Sequence, residues 1–220
     1  MATDRRVPHL AFTYNEPTIF GEYVIDISNA AHERGIHTVM VTNGYITPEA
    51  IRDIYPWIDA ANIDLKAFTE RFYRKITLSS LEPVLDAIVN IRAENTWVEL
   101  TTLLIPDLNT DPQEIRELAT WIVHNLGAET PLHFSAFHPD YKLMDKPATS
   151  IETLTRAYNI ARDAGLQFVY LGNVVTDKGD TICPGCGETV IHRNWYDTRS
   201  ELLPGGLCPK CETPLPGVFS

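Results

Sequence analysis

No cysteine occurs before Cys183. Without an early cysteine and without an apolar leader behind "MATDRRVPHL", the chain does not read as a secreted disulfide scaffold. No apolar run approaches the length of a membrane span. Basic residues are few, 18 against 29 acidic ones, for a net charge of −11. Phosphate contacts need clustered Lys and Arg, so a non-specific nucleic-acid binder is excluded as the leading reading. No GxGxxG, GxxxxGK[ST] or GxSxG pattern is present, which removes a dinucleotide fold, a P-loop and a serine nucleophile elbow by motif.

What remains is 220 residues with 44% hydrophobic and 21% charged content, enough for one medium domain and a small module in a reducing, cytoplasmic setting. Short apolar runs predict strands at Leu10–Tyr14, His37–Thr42, Ala61–Lys66, Trp97–Ile105, Leu132–Phe137 and Gln167–Asn173. Helical stripes lie between them. Phe20, Tyr23, Val24, Ile27, Ala30 and Ala31 form the first, Ala50, Ile51, Ile54 and Tyr55 the second, and Leu81, Val84, Leu85, Ile88 and Ile91 the third. Thr110 or Asp111 can cap a fourth, with Pro112 in its first turn; Thr149 with Glu152 forms a capping box for a fifth, which ends at Gly165. Trp57, Trp97 and Trp121 sit in apolar patterns and read as core, whereas Glu70, Arg71, Arg74 and Lys75 read as a solvated face. Alternating strands and helices predict an α/β fold with a parallel sheet, either an incomplete barrel or a doubly wound sheet.

Polar residues recur where successive strands end: Asn15, Glu16 and Pro17; Thr42, Asn43 and Gly44; Asp64 and Lys66; Thr101 and Thr102; His138; Asn173. Repeated along one sheet edge, they imply a polar cleft for a small ligand. His133 and His138 need not converge.

The tail carries the plainest chemistry. Cys183-Pro-Gly-Cys186 and Cys208-Pro-Lys-Cys211 are two knuckles separated by about 21 residues. Four thiolates make a closed tetrahedral site, structural rather than catalytic, for zinc first and rubredoxin-like iron second. His192 is not needed as a ligand. The stretch "HRNWYDTRSELLPGGL" is expected to form the ribbon's hairpin, turning at Gly205-Gly206.

"YNEPTIF", "VTNG", "IDLK", "FHPDYK" and "YLGN", in that order, resemble the radical S-adenosylmethionine (SAM) enzymes, and more narrowly the AmmeMemoRadiSam-system subgroup related to the pyruvate formate-lyase activating enzyme. The closing "CPGCGE…HRN…GGLCPKC" resembles that subgroup's tail. The resemblance implies a partial radical-SAM barrel over residues 1–175 and a four-cysteine zinc-ribbon or rubredoxin-like module over 176–220. It implies that Tyr14, Asn15, Glu16 and Pro17 stand where the family's Gly-Gly-Glu-Pro loop binds the SAM amino group. Lys66 would meet the SAM carboxylate, Asp64 a ribose hydroxyl and His138 the ribose surroundings, with Thr42 and Asn43 as the floor. A [4Fe-4S] cluster would reduce SAM to give a 5′-deoxyadenosyl radical. The family's Cys-x3-Cys-x2-Cys segment is absent, so the expectation is an N-terminally truncated chain, inactive alone. The resemblance implies SAM and a protein substrate or system partner, with glycyl-radical proteins as one analogy, and neither nucleic acid nor membrane. The residues also allow a non-catalytic partner-binding protein, and a lyase using Lys66 as a Schiff base.

Overall fold

A computed structural model describes residues 7–194 and 197–219. Six strands, β1 (His9–Phe12), β2 (His37–Thr42), β3 (Ala60–Asp64), β4 (Trp97–Leu104), β5 (Leu132–Ala136) and β6 (Val169–Gly172), form one parallel sheet in consecutive order. The crossover helices are α1 (Gly21–His32), α2 (Pro48–Ile54), a single turn α3 (Glu70–Phe72) running into a π turn at Tyr73–Thr77, α4 (Glu82–Ala93), α5 (Pro112–Asn125) and α6 (Ile151–Asp163). Consecutive parallel pairing has no switch in strand order, so right-handed crossovers place all helices on one face. The doubly wound alternative is thereby excluded.

The other face is open and polar. On β4 the buried residues are Val98, Leu100, Thr102 and Leu104, while Trp97, Glu99 and Thr101 are half-buried on the opposite side. The register continues this face through Asn62 beside Glu99, Thr101 beside His133, and His133 beside Tyr170. His9 on β1 and Tyr170 on β6 line the same cavity of about 420 Å³, so the sheet curls toward a barrel and the polar face is its hollow.

Local chemistry explains most boundaries. Asp111 caps α5 through the Gln113 and Glu114 amides, with Pro112 where a missing N–H costs nothing. The fifth predicted cap is displaced by one residue: Ser150, not Thr149, caps α6 by accepting from the Thr153 amide. Thr149 is buried, its hydroxyl donating to Leu104 O and accepting from the Phe137 amide, so it ties the ends of β4 and β5 instead. The three tryptophans are half-buried rather than core. On α1, Val24, Ser28 and Ala31 face inward, whereas Tyr23 is 71% and Ile27 42% exposed, so the predicted stripe is split over two faces. Arg71, Arg74 and Lys75 are solvated as expected, but Glu70 also accepts from the Leu81 amide, and Phe72 and Tyr73 behind them are buried.

Below β3, Asp59 holds β2, β3 and α1 together. Its carboxylate accepts from Thr38 N at 2.7 Å and Thr38 Oγ1 at 3.1 Å, and lies 3.0 Å from His32 Nε2 and 3.4 Å from His37 Nδ1. Burial would raise this carboxyl, but the Thr38 N–H and the His32, His37 and Thr38 side chains outweigh it and hold its pKa below the usual value. A depressed folded pKa gives stability that is present above the unfolded value of about 3.9 and is lost as pH falls through the folded value. The denaturant midpoint is therefore expected to drop on acidification below about pH 4, and less steeply in Asp59→Asn. Equal acid slopes in the two proteins would remove Asp59 as a cause.

A second, antiparallel sheet follows: β7 (Thr181–Ile182), β8 (Thr189–Asn194) and β9 (Asp197–Ser200). Asn194 pairs with Asp197, so β8 and β9 pair with each other upstream of Gly205-Gly206; residues 195 and 196 of the expected hairpin lie outside the described residues. Those glycines make a separate tight turn between Leu203 and Leu207, bridging into the second knuckle. No described helix is long and apolar enough to cross a membrane.

Candidate functional site

The elbow after β1 is built around one carboxylate. Glu16 Oε1 accepts from Thr42 Oγ1 at 2.6 Å, Thr18 Oγ1 at 3.0 Å and Thr18 N at 3.3 Å, and Oε2 accepts from Asn43 N at 2.8 Å. Glu16 thus ties the carboxyl end of β1 to that of β2. Its lone pairs are largely taken by the chain itself, which leaves the elbow's backbone carbonyls as the acceptors for anything bound there. Pro17 is buried, and Tyr14 and Asn15 are exposed at the tip. Beneath the elbow, Tyr55 is buried with no hydrogen-bond partner for its hydroxyl among the described residues. Burial first, and the Glu16 charge second, push its pKa upward.

Asn43 folds back, its Oδ1 accepting from the Tyr45 amide at 2.7 Å. Gly44 sits at φ +69°, where a Cβ would also approach Ile63 Cγ2 to 2.7 Å, so glycine is required twice over. In Glu16→Gln the amide nitrogen would face a donor, Asn43 N–H or the Thr42 hydroxyl. The expected loss is about 1–3 kcal/mol of folding stability, read by urea unfolding. A loss below about 0.5 kcal/mol would show that the network is dispensable.

Asp64 and Lys66 leave β3 on the hollow side and pair at 2.8 Å, both half-exposed. The Lys66 backbone is fixed from three sides. Its amide donates to Tyr73 Oη, the neighbouring Leu65 carbonyl accepts from Thr102 Oγ1, and its own carbonyl accepts from Asn109 Nδ2. Asn109 is buried and also bonds Leu103 O and Ile105 N. Glu114, also buried, accepts from the Phe68 amide; burial raises its carboxyl above the usual value. Burial likewise pushes Tyr73 up to about 12, opposed by the Lys66 amide and aided by Asp64. Asn109, Glu114 and Tyr73 were not foreseen from sequence; they act through contacts to backbone groups distant in the chain, with no pattern to reveal them.

Asn43 and Lys66 line a common cavity of about 480 Å³ with Tyr45, Tyr73 and Leu78. The structure therefore gathers Glu16, Thr42, Asn43, Asp64 and Lys66 along three adjacent strand ends. It does not gather His138, which is exposed and makes no side-chain hydrogen bond among the described residues. His133 instead lies 2.7 Å from Glu99 and stacks on Tyr170.

The family model described as the radical SAM superfamily matches residues 1–122. The chain belongs to that superfamily. An uncharacterized protein of Methanocaldococcus jannaschii is 42% identical over 193 residues, 87% of this chain and 57% of that protein. The pyruvate formate-lyase-activating enzyme of Clostridium pasteurianum is 28% identical over 162 residues, 68% of this chain and 66% of that enzyme. This radical SAM chain thus spans only part of each of these curated relatives. In fold it is similar to a domain of a pyruvate formate-lyase-activating enzyme from Bacteroides vulgatus, with a TM-score of 0.66 at 20% identity, covering 74% of this chain and 98% of that domain.

The four cysteines form a second centre. Their ligand atoms all lie within 4.8 Å of one another, with Sγ–Sγ distances of 3.6 Å for Cys183–Cys211 and 3.7 Å for Cys186–Cys208. A metal bound at about 2.3 Å to four thiolates has sulfurs roughly 3.8 Å apart, so the donor set fits one tetrahedral ion. The knuckles are copies: Cys183 N donates to Glu188 O and Gly187 N to Cys183 O, while Cys208 N donates to Thr213 O and Glu212 N to Cys208 O. Thr213, through side chain and backbone, holds Cys211 down at about 6. At Cys186 the Glu188 N–H pulls down, but desolvation and the other three sulfurs lift it to about 12. Four crowded thiols cannot all ionise unaided, and a divalent cation resolves that conflict. His192 lies 3.4 Å from Asp180, away from a ligand role.

Proposed function

We propose that the six-stranded unit binds SAM along the carboxyl ends of β1 to β3. The elbow Tyr14, Asn15, Glu16 and Pro17 would take the methionine amino group on its carbonyls, and Lys66 the methionine carboxylate. Asp64 would meet a ribose hydroxyl, Thr42 and Asn43 would form the floor, and His138 would approach the ribose only by moving from its exposed position. The observation that carries this reading is the cavity shared by Asn43 and Lys66 beside the Glu16 network. Superfamily membership supports it. Bound SAM supplies hydrogen-abstracting radical chemistry once a [4Fe-4S] cluster provides an electron.

The residues present do not fit that cluster. No cysteine precedes Cys183, and the later four form their own tetrad. We assign the cluster ligands to a segment outside these 220 residues. The open edge of β1, flanked by exposed Ile19, Tyr23 and Ile27, has the form of a docking face for one more strand–helix unit. The tetrad is assigned to zinc, with iron as the competitor, in a zinc-ribbon or rubredoxin-like module. Four unpaired cysteines fit a reducing cytoplasm.

Lys66→Ala is expected to weaken SAM binding about tenfold, the scale of one lost charge-assisted contact, by equilibrium dialysis. Unchanged affinity would remove Lys66 from the clamp.

A further inference from the structure

The hollow of the sheet contains a second chamber, of about 390 Å³, that the SAM cleft leaves unused. One wall is strand: Asn62, Thr101, Ser135 and Tyr170. The other is the cysteine module, whose hairpin contributes Arg193 and Asn194. Asn62 precedes Asp64 by two residues on β3, so the chamber adjoins the Asp64–Lys66 end of the cleft.

Its polar groups are arranged as donors. Thr101 Oγ1 donates to Asn62 Oδ1 at 2.8 Å, which fixes the amide and leaves its Nδ2 without a partner among the described residues. Ser135 Oγ likewise has no described hydrogen-bond partner. Arg193 lies over Tyr170 at 5.1 Å and spends Nη1 on Gly179 O and Thr181 Oγ1. No carboxylate lies within ion-pair distance of its guanidinium among the described residues, although its charge helps hold Glu99 low and opposes the upward push of burial on Tyr170. Glu99 on the sheet face is turned to His133 at 2.7 Å and to the Trp97 indole at 3.2 Å, and Asp180 accepts from the Arg193 backbone N–H at 2.8 Å.

We propose that this chamber binds the anionic head group, carboxylate or phosphate, of a small substrate, and that Arg193 from the metal module is its principal contact. The proposal rests on the SAM reading for the word substrate, since the chamber opens beside that cleft. The volume suits a small molecule. The chamber is small and is lined jointly by the sheet and by Arg193 and Asn194 of the hairpin, which favours a free acid over a protein partner.

The test uses the full metal-loaded chain and nuclear magnetic resonance titration with inorganic phosphate and, separately, succinate. Saturable shifts at Asn62, Ser135 and Arg193 with either anion are expected; phosphate alone assigns a phosphate ester, succinate alone a carboxylic acid. Arg193→Gln is expected to weaken that binding about tenfold or more. Ser135→Leu, which fills the chamber without touching the hairpin, is expected to abolish it while one metal per chain is retained. Absence of shifts with both anions, or equal binding by Arg193→Gln, would overturn the proposal. A parallel titration with S-adenosylhomocysteine reads Thr42 and Asn43 instead, so failure of one site is distinguishable from failure of the other.

Discussion

Cys208→Ser is expected to reduce bound metal from about one ion per chain to almost none, and to unfold the module that follows β6. Cys208 is fully buried and packs with Cys183, Val190 and Leu215, so the small apolar core of this module is itself the metal site. Those four buried residues cannot stabilise about 40 residues unaided. Structural zinc contributes on the order of 10 kcal/mol to folding in comparable knuckles, far more than the cost of an ordinary point substitution. The six-stranded unit has its own extended core and is expected to keep its helices. Metal analysis and circular dichroism before and after a chelator check both halves. Full metal content in the variant, or joint collapse of both units, contradicts this account.

The 220 residues alone are expected to yield no 5′-deoxyadenosine above background when treated anaerobically with iron, sulfide, dithionite and SAM. The reason is the ligand count: the only thiols present are the tetrad's, and a tetrahedral ion would use all four. Without a cluster to pass dithionite's electron to SAM there is no reductive cleavage, so the expected effect is total. Addition of a synthetic segment carrying Cys-x3-Cys-x2-Cys, presented to the β1 edge, is the complementary arm. Product at enzymatic rates from the chain alone would show that the tetrad, or some other group, serves the redox step.

Much of the fold was legible because a parallel strand and an amphipathic helix have different periods, and both recur here without interruption. The misplaced details share a cause. Thr149 and Ser150 are equally good caps by residue type, and the demand for a hydroxyl between β4 and β5 decides which is spent on the helix. Gly205-Gly206 is the stronger turn signal, yet a knuckle needs it more than the hairpin does. Tyr23 and Ile27 match the helical stripe but lie on the side of α1 away from its core contacts. At the site, Glu16, Asn43 and Lys66 were visible as strand-end residues. The Glu99–His133 pair was not, because its partners lie 34 residues apart in the chain. Arg193 was hidden for a similar reason: it meets the sheet face through the fold alone. A signal did exist: Trp97, Glu99 and Thr101 alternate with Val98, Leu100 and Thr102, which marks a sheet with one polar face rather than one buried on both sides.

The central claim is that the carboxyl ends of β1 to β3 form a SAM cleft. Its most direct test is nuclear magnetic resonance titration of the metal-loaded chain with S-adenosylhomocysteine, which needs neither cluster nor turnover. The account predicts saturable shifts at Thr42, Asn43, Asp64 and Lys66, diminished in Lys66→Ala. No saturable shift at those residues, or shifts confined to the opposite end of the sheet around His37 and Asp59, would contradict it.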